Sequence, residues 1–392
     1  MITRQKKTWI SGFVLAVVTV WICKSQSSKL TSKRKKTIMI KYDQIENYII
    51  NNRALQIIRE LGFAEKAVVY YHQNCMDGSC SAALMKILLK ECCVFNTEFV
   101  PVNYNTEFPM DTVDESTICL MVDFSVPVEV LEQIQAKSNG LLIIDHHKSA
   151  VEAILKYQET ETPKFGYILG GTNHSGASLV YEIFYNQLQL TYKSNAIEKI
   201  VSHCRYHDIW LHNGVITDPS YGFVTAVYGL CEDSDKNTAS ENIRKFFVGF
   251  FEYKDYQDDK DYSSKFLMQI EGYSNIGLQM LKFKDLEAKA YTASGKHCIL
   301  QQGERIYNFF AVKAPYRAAS MVGTTGYIEH PHTNFVAIYE DKPDSEDYVI
   351  SLRARKGGVD VSEVAKFYAG GGHASAAGFK IKKEVWDAIV NR

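Results

Sequence analysis

Carboxylate, imidazole and thiol side chains follow three short apolar runs in the first half of this 392-residue chain. They are His72, Cys75 and Asp77 after the first run, Asp123 after the second, and Asp145, His146 and His147 after the third. Carboxylate oxygens combined with imidazole nitrogens suit Mn²⁺ or Mg²⁺ better than Zn²⁺ or Fe²⁺. Two such ions about 3.5–4 Å apart can hold both the attacking and the leaving oxygen of a phosphoryl displacement. The residues therefore predict a metal centre that acts on phosphate esters.

The apolar runs themselves predict strands of a mostly parallel sheet. Continuous apolar runs, typical of strands buried on both faces, occur at 67–71, 99–102, 118–122 and 141–144. Helical patterns at 81–90 and 128–135 separate them, an alternation typical of α/β domains. Ligands of such sheets bind beyond the carboxyl ends of the strands. The predicted fold class, α/β, thus places the polar residues at the ligand-binding edge.

Strand-like runs return near the C-terminus and predict a second, smaller α/β domain. The runs are 298–300, 309–312, 335–339 and 348–352, and a predicted helix over 361–368 follows them. Asp360 and Glu363 are spaced as in a capping box at the start of this helix. Helical patterns precede the second domain, apart from a predicted surface loop at 256–264. We expect a basic leader at 1–40, a metal-binding domain at 41–233, a helical connector at 234–294 and a second domain at 295–392.

Charge is distributed unevenly along the chain. The first 40 residues hold nine of the 44 Lys and Arg residues and no Asp or Glu, so the remainder has 35 basic and 45 acidic residues, a net charge of −10. Long nucleic acids are held mainly by Lys and Arg contacts to phosphate, so an acidic body disfavours a sequence-independent grip on duplex DNA. A small phosphorylated substrate held through metal ions agrees better with this charge.

The basic leader contains an uncharged apolar stretch, Trp9–Cys23, with Trp near both ends. Its length and its lysine-rich flanks predict an N-terminal transmembrane anchor, and the excess of basic residues after it places the catalytic body in the cytoplasm. One alternative is an organelle-targeting leader. Another is a start at Met39, which leaves a cytoplasmic protein. The nine cysteines form no Cys-x-x-Cys pair and suggest a reducing compartment.

Two motifs in a fixed order resemble a known family. Asp145-His146-His147, with Asp77-Gly78 upstream, is followed late in the chain by Ser351-Leu-Arg353 and by Gly370-Gly371-Gly372-His373. This arrangement is similar to the DHH phosphoesterase superfamily with a C-terminal DHHA1 domain, in its oligoribonuclease or nanoRNase-like branch. The segment 173–177 also resembles the Ser-Gly-Ala segment of the family. The resemblance extends over roughly 66–380.

The resemblance implies hydrolysis of phosphoester or phosphoanhydride bonds by a hydroxide that two divalent ions, usually Mn²⁺, activate. It implies Asp145 as the residue that orients the histidines, and His147 as a residue near the scissile phosphate. The implied metal ligands are Asp77, Asp123, His146 and Asp208, with His72 and Cys75 as further candidates. The implied substrate-binding residues are Ser351, Arg353, Gly370, Gly371, Gly372 and His373.

These expectations favour a hydrolase of short oligonucleotides or of small nucleotide phosphates such as 3′-phosphoadenosine 5′-phosphate. One alternative is a membrane-anchored phosphodiesterase of cyclic dinucleotides. Another is a catalytically weakened nucleotide-binding protein, because Cys75 and Tyr206 occupy positions where the family often has Asp. A pyrophosphatase is less favoured, and a homodimer is left open.

Overall fold

A computed structural model describes residues 42–104, 106–186, 195–252, 260–341 and 345–391. They form two compact units that divide between Gly277 and Leu278. No helix within these ranges is long and apolar enough to cross a membrane. The predicted anchor, Trp9–Cys23, lies outside the described residues.

The first unit is built on a six-stranded sheet. Its strands are β1 (Ile49–Ile50), β2 (Lys66–His72), β3 (Thr97–Val102), β4 (Thr117–Val122), β5 (Gly140–Asp145) and β6 (Gly166–Leu169). They lie in the order β1-β6-β5-β4-β2-β3, and all neighbours are parallel except the short edge pair of β1 and β6. Strands β4 and β5 are buried along their whole length, as their continuous apolar runs predict.

Helices cover both faces of this sheet and explain that burial. The α-helices that precede the second sheet are α1 (Asn52–Glu60), α2 (Met76–Glu91), α3 (Val128–Lys137), α4 (Lys148–Thr160), α5 (Gly176–Val180), α6 (Asn195–Asp208), α7 (Pro219–Cys231), α8 (Lys236–Phe251) and α9 (Lys260–Thr292), and α9 continues past Gly277 into the second unit. Helix α2 is buried on nearly every side because the sheet and α8 enclose it. Val69 of β2 joins the core on the α2 face, whereas Val68 joins a separate core on the opposite face.

The stretch predicted as a helical connector consists of α8 and α9. Phe247 and Phe251 of α8 lie in the same core as α2, so this helix is part of the first unit. The predicted surface loop is wrong from Lys260 onward, because α9 begins there. Its charged, serine-containing sequence suits the first turn of a helix as well as a loop. Residues 256–259 lie outside the described ranges.

The second unit contains another six-stranded sheet and three helices. The strands are β7 (Lys296–Gln302), β8 (Arg305–Lys313), β9 (Phe335–Glu340), β10 (Asp347–Arg353), β11 (Gly371–His373) and β12 (Ala376–Lys382). They lie in the order β11-β12-β10-β9-β8-β7, and only β8 and β9 are parallel. The helices are α10 (Ala319–Glu329), α11 (Val361–Phe367) and α12 (Lys383–Val390). The predicted fold class, a mostly parallel α/β unit with a smaller α/β unit, is confirmed.

The start of α11 differs in one detail from the prediction. Asp360 caps the helix and accepts a hydrogen bond from the Ser362 N–H at 2.9 Å. Glu363 accepts instead from Lys366 Nζ at 2.6 Å, so its carboxylate does not complete a capping box. The sequence spacing alone does not reveal this competition for the Glu363 side chain.

Helices α7 and α9 approach each other at a pair of glycines. A methyl group on Gly277 of α9 would overlap the carbonyl oxygen of Gly222 on α7. Gly272, five residues earlier on α9, would place a methyl group in open space. The close approach of the two helices therefore depends on Gly277 and not on Gly272.

We expect Gly277→Ala to lower the free energy of unfolding of the first unit by about 1–3 kcal/mol, because backbone atoms must move apart. Gly272→Ala is the matched control, and it should raise that free energy by about 0.5–1 kcal/mol because alanine favours the helix. Urea unfolding followed by circular dichroism measures both. Equal effects of the two substitutions would contradict the close helix crossing.

Candidate metal centre

The carboxyl ends of β2, β4 and β5 meet at one edge of the first sheet. These strands are neighbours in parallel register, so the residues that end or follow them lie side by side. His72 ends β2, Asp123 follows β4, and Asp145 ends β5. The fold therefore brings together the side chains that the sequence placed after separate apolar runs.

Asp123 lies at the centre of this cluster and is fully buried. Its Oδ1 is 3.2 Å from His146 Nε2. Its Oδ2 is 3.2 Å from Cys75 Sγ and 3.7 Å from His72 Nδ1. One carboxylate thus touches donors from two other strand ends, the geometry required of a residue that bridges two ions.

Two further carboxylates reach the cluster from helices. Asp77 lies in the first turn of α2, and Asp208 is the last residue of α6. Asp208 Oδ2 is 3.1 Å from His146 Nε2. Asp77, His146 and Asp208 each offer a ligand atom, and these atoms lie within 4.8 Å of one another.

The potential ligands form three overlapping groups. The same 4.8 Å limit holds within His72, Cys75 and Asp123, and within Asp123, His146 and His147. Asp123 and His146 each belong to two groups, so the donor atoms are arranged around adjacent positions. All six residues predicted as metal ligands lie in this one cluster. Their roles as ligands stay predictions.

The charges of this cluster are unbalanced without a cation. Burial and the charges of Asp123 and Asp208 raise the pKa of Asp77 well above its usual range. Burial also opposes the ionisation of Asp123, but contacts with His146 and His72 hold its pKa well below its usual range. Burial opposes the protonation of His146, yet Asp208 and Asp123 raise its pKa. The histidines neutralise the carboxylates only in part. Bound divalent cations would supply the remaining positive charge.

The buried polar atoms at the centre also fit metal ions. Asp123 Oδ1, His146 Nε2 and Asp208 Oδ2 approach one another closely but form no well-aligned hydrogen bond with the described residues. Buried polar atoms without partners are costly and require an explanation. A donor set of carboxylates and imidazole that converges on one point is suited to divalent ions.

Asp145 holds the two histidines in place. Its Oδ1 accepts hydrogen bonds from the backbone N–H groups of His146 at 2.7 Å and His147 at 3.1 Å. The same oxygen lies 2.7 Å from His147 Nδ1. Burial lowers the pKa of His147, but the charge of Asp145 outweighs it and raises the value to about 9. This geometry supports the predicted orienting role of Asp145.

Sequence reasoning assigned no role to three positions that shape the cluster. The Ala177 N–H donates to Asp77 Oδ1 at 3.2 Å. A methyl group on Gly176 would lie 2.6 Å from Asp123 Cβ, and one on Gly78 would lie 2.7 Å from the His72 carbonyl oxygen. Both glycines occur in motifs that resemble the family, but only the packing of α2 and α5 on the strand ends shows why no side chain fits.

An aromatic wall borders the cluster. The ring of Tyr104 lies 5.3 Å from the ring of His72 and 6.0 Å from that of His147, and it packs 4.6 Å from Phe124. A cavity of about 270 Å³ lies beside it, with Phe108 and Val130 among its lining residues. No periodic pattern in the sequence indicated this wall, because Tyr104 belongs to a loop.

In the second unit, the fold brings two distant motifs onto one sheet. Ser351 and Arg353 lie on β10, and Gly371–His373 forms β11, with β12 between them. The register pairs Ala376 with Arg353 on one side and with His373 on the other. Burial lowers the pKa of Arg353, and among the described residues no carboxylate forms an ion pair with it. Such an arginine is suited to bind an anion.

The three glycines before His373 have different constraints. The Gly370 N–H donates to the Ala365 carbonyl at 2.9 Å, so it is already used within the unit. A methyl group on Gly370 would overlap the Gly378 carbonyl oxygen, and Gly372 has a φ of 143° that favours glycine. Gly371 has open space around its Cα. Of the three predicted phosphate-binding amides, that of Gly370 is therefore already engaged, and Gly371 and Gly372 pair with Gly378 and Ala377 of β12.

Residues 66–206 match the family model "DHH family, N-terminal domain", and residues 316–392 match the model "DHHA1 domain". The chain belongs to the DHH family. The predicted DHH and DHHA1 domains are confirmed.

Relatives of this DHH chain are distant. It is 21% identical over 326 residues to the uncharacterized protein R106 of Acanthamoeba polyphaga mimivirus, and the match covers 79% of this chain and 66% of that protein, just under two thirds. A solved pGpG-specific phosphodiesterase, PggH from Vibrio cholerae, is 14% identical, with coverage of 83% and 96% and a TM-score of 0.47. RecJ from Thermus thermophilus in complex with Mn²⁺ is 12% identical, with coverage of 86% and 52% and a TM-score of 0.48.

The crowding of carboxylates gives a prediction for Asp77. We expect Asp77→Asn to raise the melting temperature of the metal-free protein, because one of three crowded acids becomes neutral. The same substitution should reduce the rise in melting temperature that Mn²⁺ produces. In the wild type, Mn²⁺ at about 100 times its dissociation constant should stabilise the fold by about 2.7 kcal/mol.

Asp114→Asn is the control, since Asp114 is half-exposed and pairs with Lys66 at 3.2 Å, away from the cluster. Scanning calorimetry with Mn²⁺ and with EDTA should show a wild-type response to Mn²⁺ in this variant. An undiminished response in Asp77→Asn would contradict a role for Asp77 in metal binding.

Proposed function

We propose that this protein is a metal-dependent phosphoesterase that hydrolyses short oligonucleotides or small nucleotide phosphates. The observation that carries the proposal is the buried cluster of carboxylates and imidazoles around Asp123, at the ligand-binding edge of the sheet. Two divalent ions, Mn²⁺ or Mg²⁺, would activate water and neutralise the charge that develops on the phosphate. In this proposal the ions are held by Asp77, Asp123, His146 and Asp208, with His72 and Cys75 completing the set.

The protein residues have separate tasks in this proposal. Asp145 accepts a hydrogen bond from the Nδ1–H of His147, which fixes the ring and leaves Nε2 free to meet a phosphate oxygen. In the second unit, Arg353 offers a planar, charged fork for a phosphate of the substrate, and Ser351, Gly371, Gly372 and His373 are the further candidates for that anion. These assignments follow the family motifs residue by residue.

The aromatic wall favours a substrate with a nucleobase over pyrophosphate. A base attached to a phosphate near His72 and His147 can reach the Tyr104 ring and the adjoining cavity. Stacking of a base on an aromatic side chain contributes about 1–3 kcal/mol. Pyrophosphate has no group that would use this surface. The net charge of −10 outside the leader also favours a small substrate over a long polyanion.

Localisation and assembly stay predictions. The anchor at 9–23 would hold the catalytic body at the cytoplasmic side of a membrane, whereas a start at Met39 would leave it in the cytoplasm. A homodimer is compatible with either arrangement. Two alternative functions are the cleavage of cyclic dinucleotides and the binding of nucleotides without turnover. A comparison of substrates distinguishes them from the proposed function.

The purified full-length protein with Mn²⁺ should hydrolyse two- to five-nucleotide RNAs or 3′-phosphoadenosine 5′-phosphate faster than cyclic dinucleotides or pyrophosphate. His146→Ala should reduce the rate by at least about a hundredfold, because it removes a group shared by two ligand sets. His332→Ala, an exposed histidine of the second unit, is the matched control and should keep full activity. Turnover that survives His146→Ala would contradict the site, and binding without turnover would favour a nucleotide-binding protein.

Tyr104→Ala tests the choice of substrate. We expect it to raise KM for the nucleotide substrate about tenfold, because a stacking surface is lost, with little effect on any residual hydrolysis of pyrophosphate. Phe95→Ala is the control, because Phe95 is also an exposed aromatic residue but lies at the opposite end of β3 from Tyr104. Steady-state kinetics on both substrates measure the difference. Equal changes for the two substrates would contradict base stacking at Tyr104.

A further inference from the structure

We propose that the two metal positions are chemically unequal, and that Cys75 gives one of them a sulfur ligand. The position bounded by His72, Cys75 and Asp123 would bind Zn²⁺, Fe²⁺ or Co²⁺. The position bounded by Asp77, His146 and Asp208 would bind Mn²⁺ or Mg²⁺. This inference rests on the proposed function and assigns a different ion to each half of its metal centre.

The donor atoms of His72, Cys75 and Asp123 have a spacing close to that of the ligands of one zinc ion. Cys75 Sγ lies 3.2 Å from Asp123 Oδ2, and His72 Nδ1 lies 3.7 Å from the same oxygen. Zinc binds sulfur at about 2.3 Å and nitrogen or oxygen at about 2.0–2.2 Å, which places tetrahedral ligands roughly 3.3–3.6 Å apart. The observed separations are within a few tenths of an ångström of that geometry. One ion can therefore contact all three residues with little movement of the chain.

Asp123 and His72, the groups beside Cys75, have buried polar atoms without well-aligned hydrogen bonds. Asp123 is fully buried and its Oδ1 lacks a well-aligned hydrogen bond, and the buried His72 Nδ1 has no hydrogen-bond partner among the described residues. Cys75 is therefore not an isolated thiol, because an imidazole and a buried carboxylate converge on it. When an ion binds, the thiol proton that now lies toward Asp123 leaves to solvent and the sulfur becomes a ligand.

The fold fixes the position of the Cys75 sulfur relative to His72. Cys75 is the residue before the first turn of α2, and Gly78 in that turn packs against the backbone of His72. This contact holds the two residues at one strand end. Thiolate ligands select zinc and iron over manganese, whereas carboxylates accept Mn²⁺ and Mg²⁺. The difference between the two donor sets therefore predicts a difference in the ions that they bind.

Cobalt reports directly on a sulfur ligand. The full-length protein is stripped of metal with a chelator and titrated with Co²⁺ without oxygen, and the near-ultraviolet absorption is recorded. We expect a thiolate-to-cobalt charge-transfer band in the wild type and its loss in Cys75→Ser and Cys75→Asp. Cys92→Ser is the matched control, since Cys92 lies at the opposite end of α2, and it should keep the band.

Metal selectivity is the second measurement. After exposure to equal amounts of Zn²⁺ and Mn²⁺, the wild type should retain a higher ratio of zinc to manganese than Cys75→Asp does, because the variant lacks the sulfur ligand that favours zinc at one position. X-ray absorption on the zinc-loaded wild type should show a sulfur neighbour at about 2.3 Å. This measurement needs no variant and stays decisive if Cys75 variants fail to fold.

The outcomes separate this inference from the proposed function. No binding of Co²⁺, Zn²⁺ or Mn²⁺ by the wild type would overturn the metal centre and both proposals. Cobalt binding and hydrolysis without a sulfur band, or a band that persists in Cys75→Ser, would overturn only the inference about Cys75.

Discussion

Three carboxylates, Asp77, Asp123 and Asp208, converge at one edge of the sheet, and the repulsion between them is the constraint on which the site depends. Asp77 and Asp123 are buried, so water screens their charges poorly, and His146 balances the three charges only in part. The fold therefore has to stabilise an arrangement that is unfavourable without a cation. It does so by placing the acids on three rigid elements, a strand end and two helices, whose positions are fixed by extensive cores on the two faces of the sheet.

Close backbone packing turns this arrangement into a defined site. Gly176 lies against Asp123, and Gly78 lies against His72, with no space for a side chain at either position. The Ala177 N–H holds Asp77, and Asp145 holds both histidines from behind. The side chains of the cluster are thus held in place by neighbouring backbone groups and by Asp145. Preorganisation of this kind limits the movement that metal binding requires.

The parts predicted from the sequence are those with a strong local signal. Strands such as β4 are buried on both faces, so a continuous apolar run marks them, and Asp123 at the end of the run follows from the rules for parallel sheets. Tyr104 and the start of α9 were missed because a loop residue and a polar first helical turn carry no periodic apolar signal. The role of Gly176 depends on how α5 packs against β4, which is a contact between distant segments. Glu363 was misassigned because the nearby Lys366 competes for its carboxylate.

The proposed ligands are spread from His72, at the end of β2, to Asp208, at the end of α6, and this spread has a consequence for biosynthesis. During synthesis, β2 and β4 leave the ribosome long before α6, so Asp123 and His72 exist in the nascent chain without Asp208. Parallel strands pair through long crossovers and form slowly compared with local contacts. The complete set of proposed ligands therefore assembles late in folding, and the proposed pair of ions would bind only after α6 has docked.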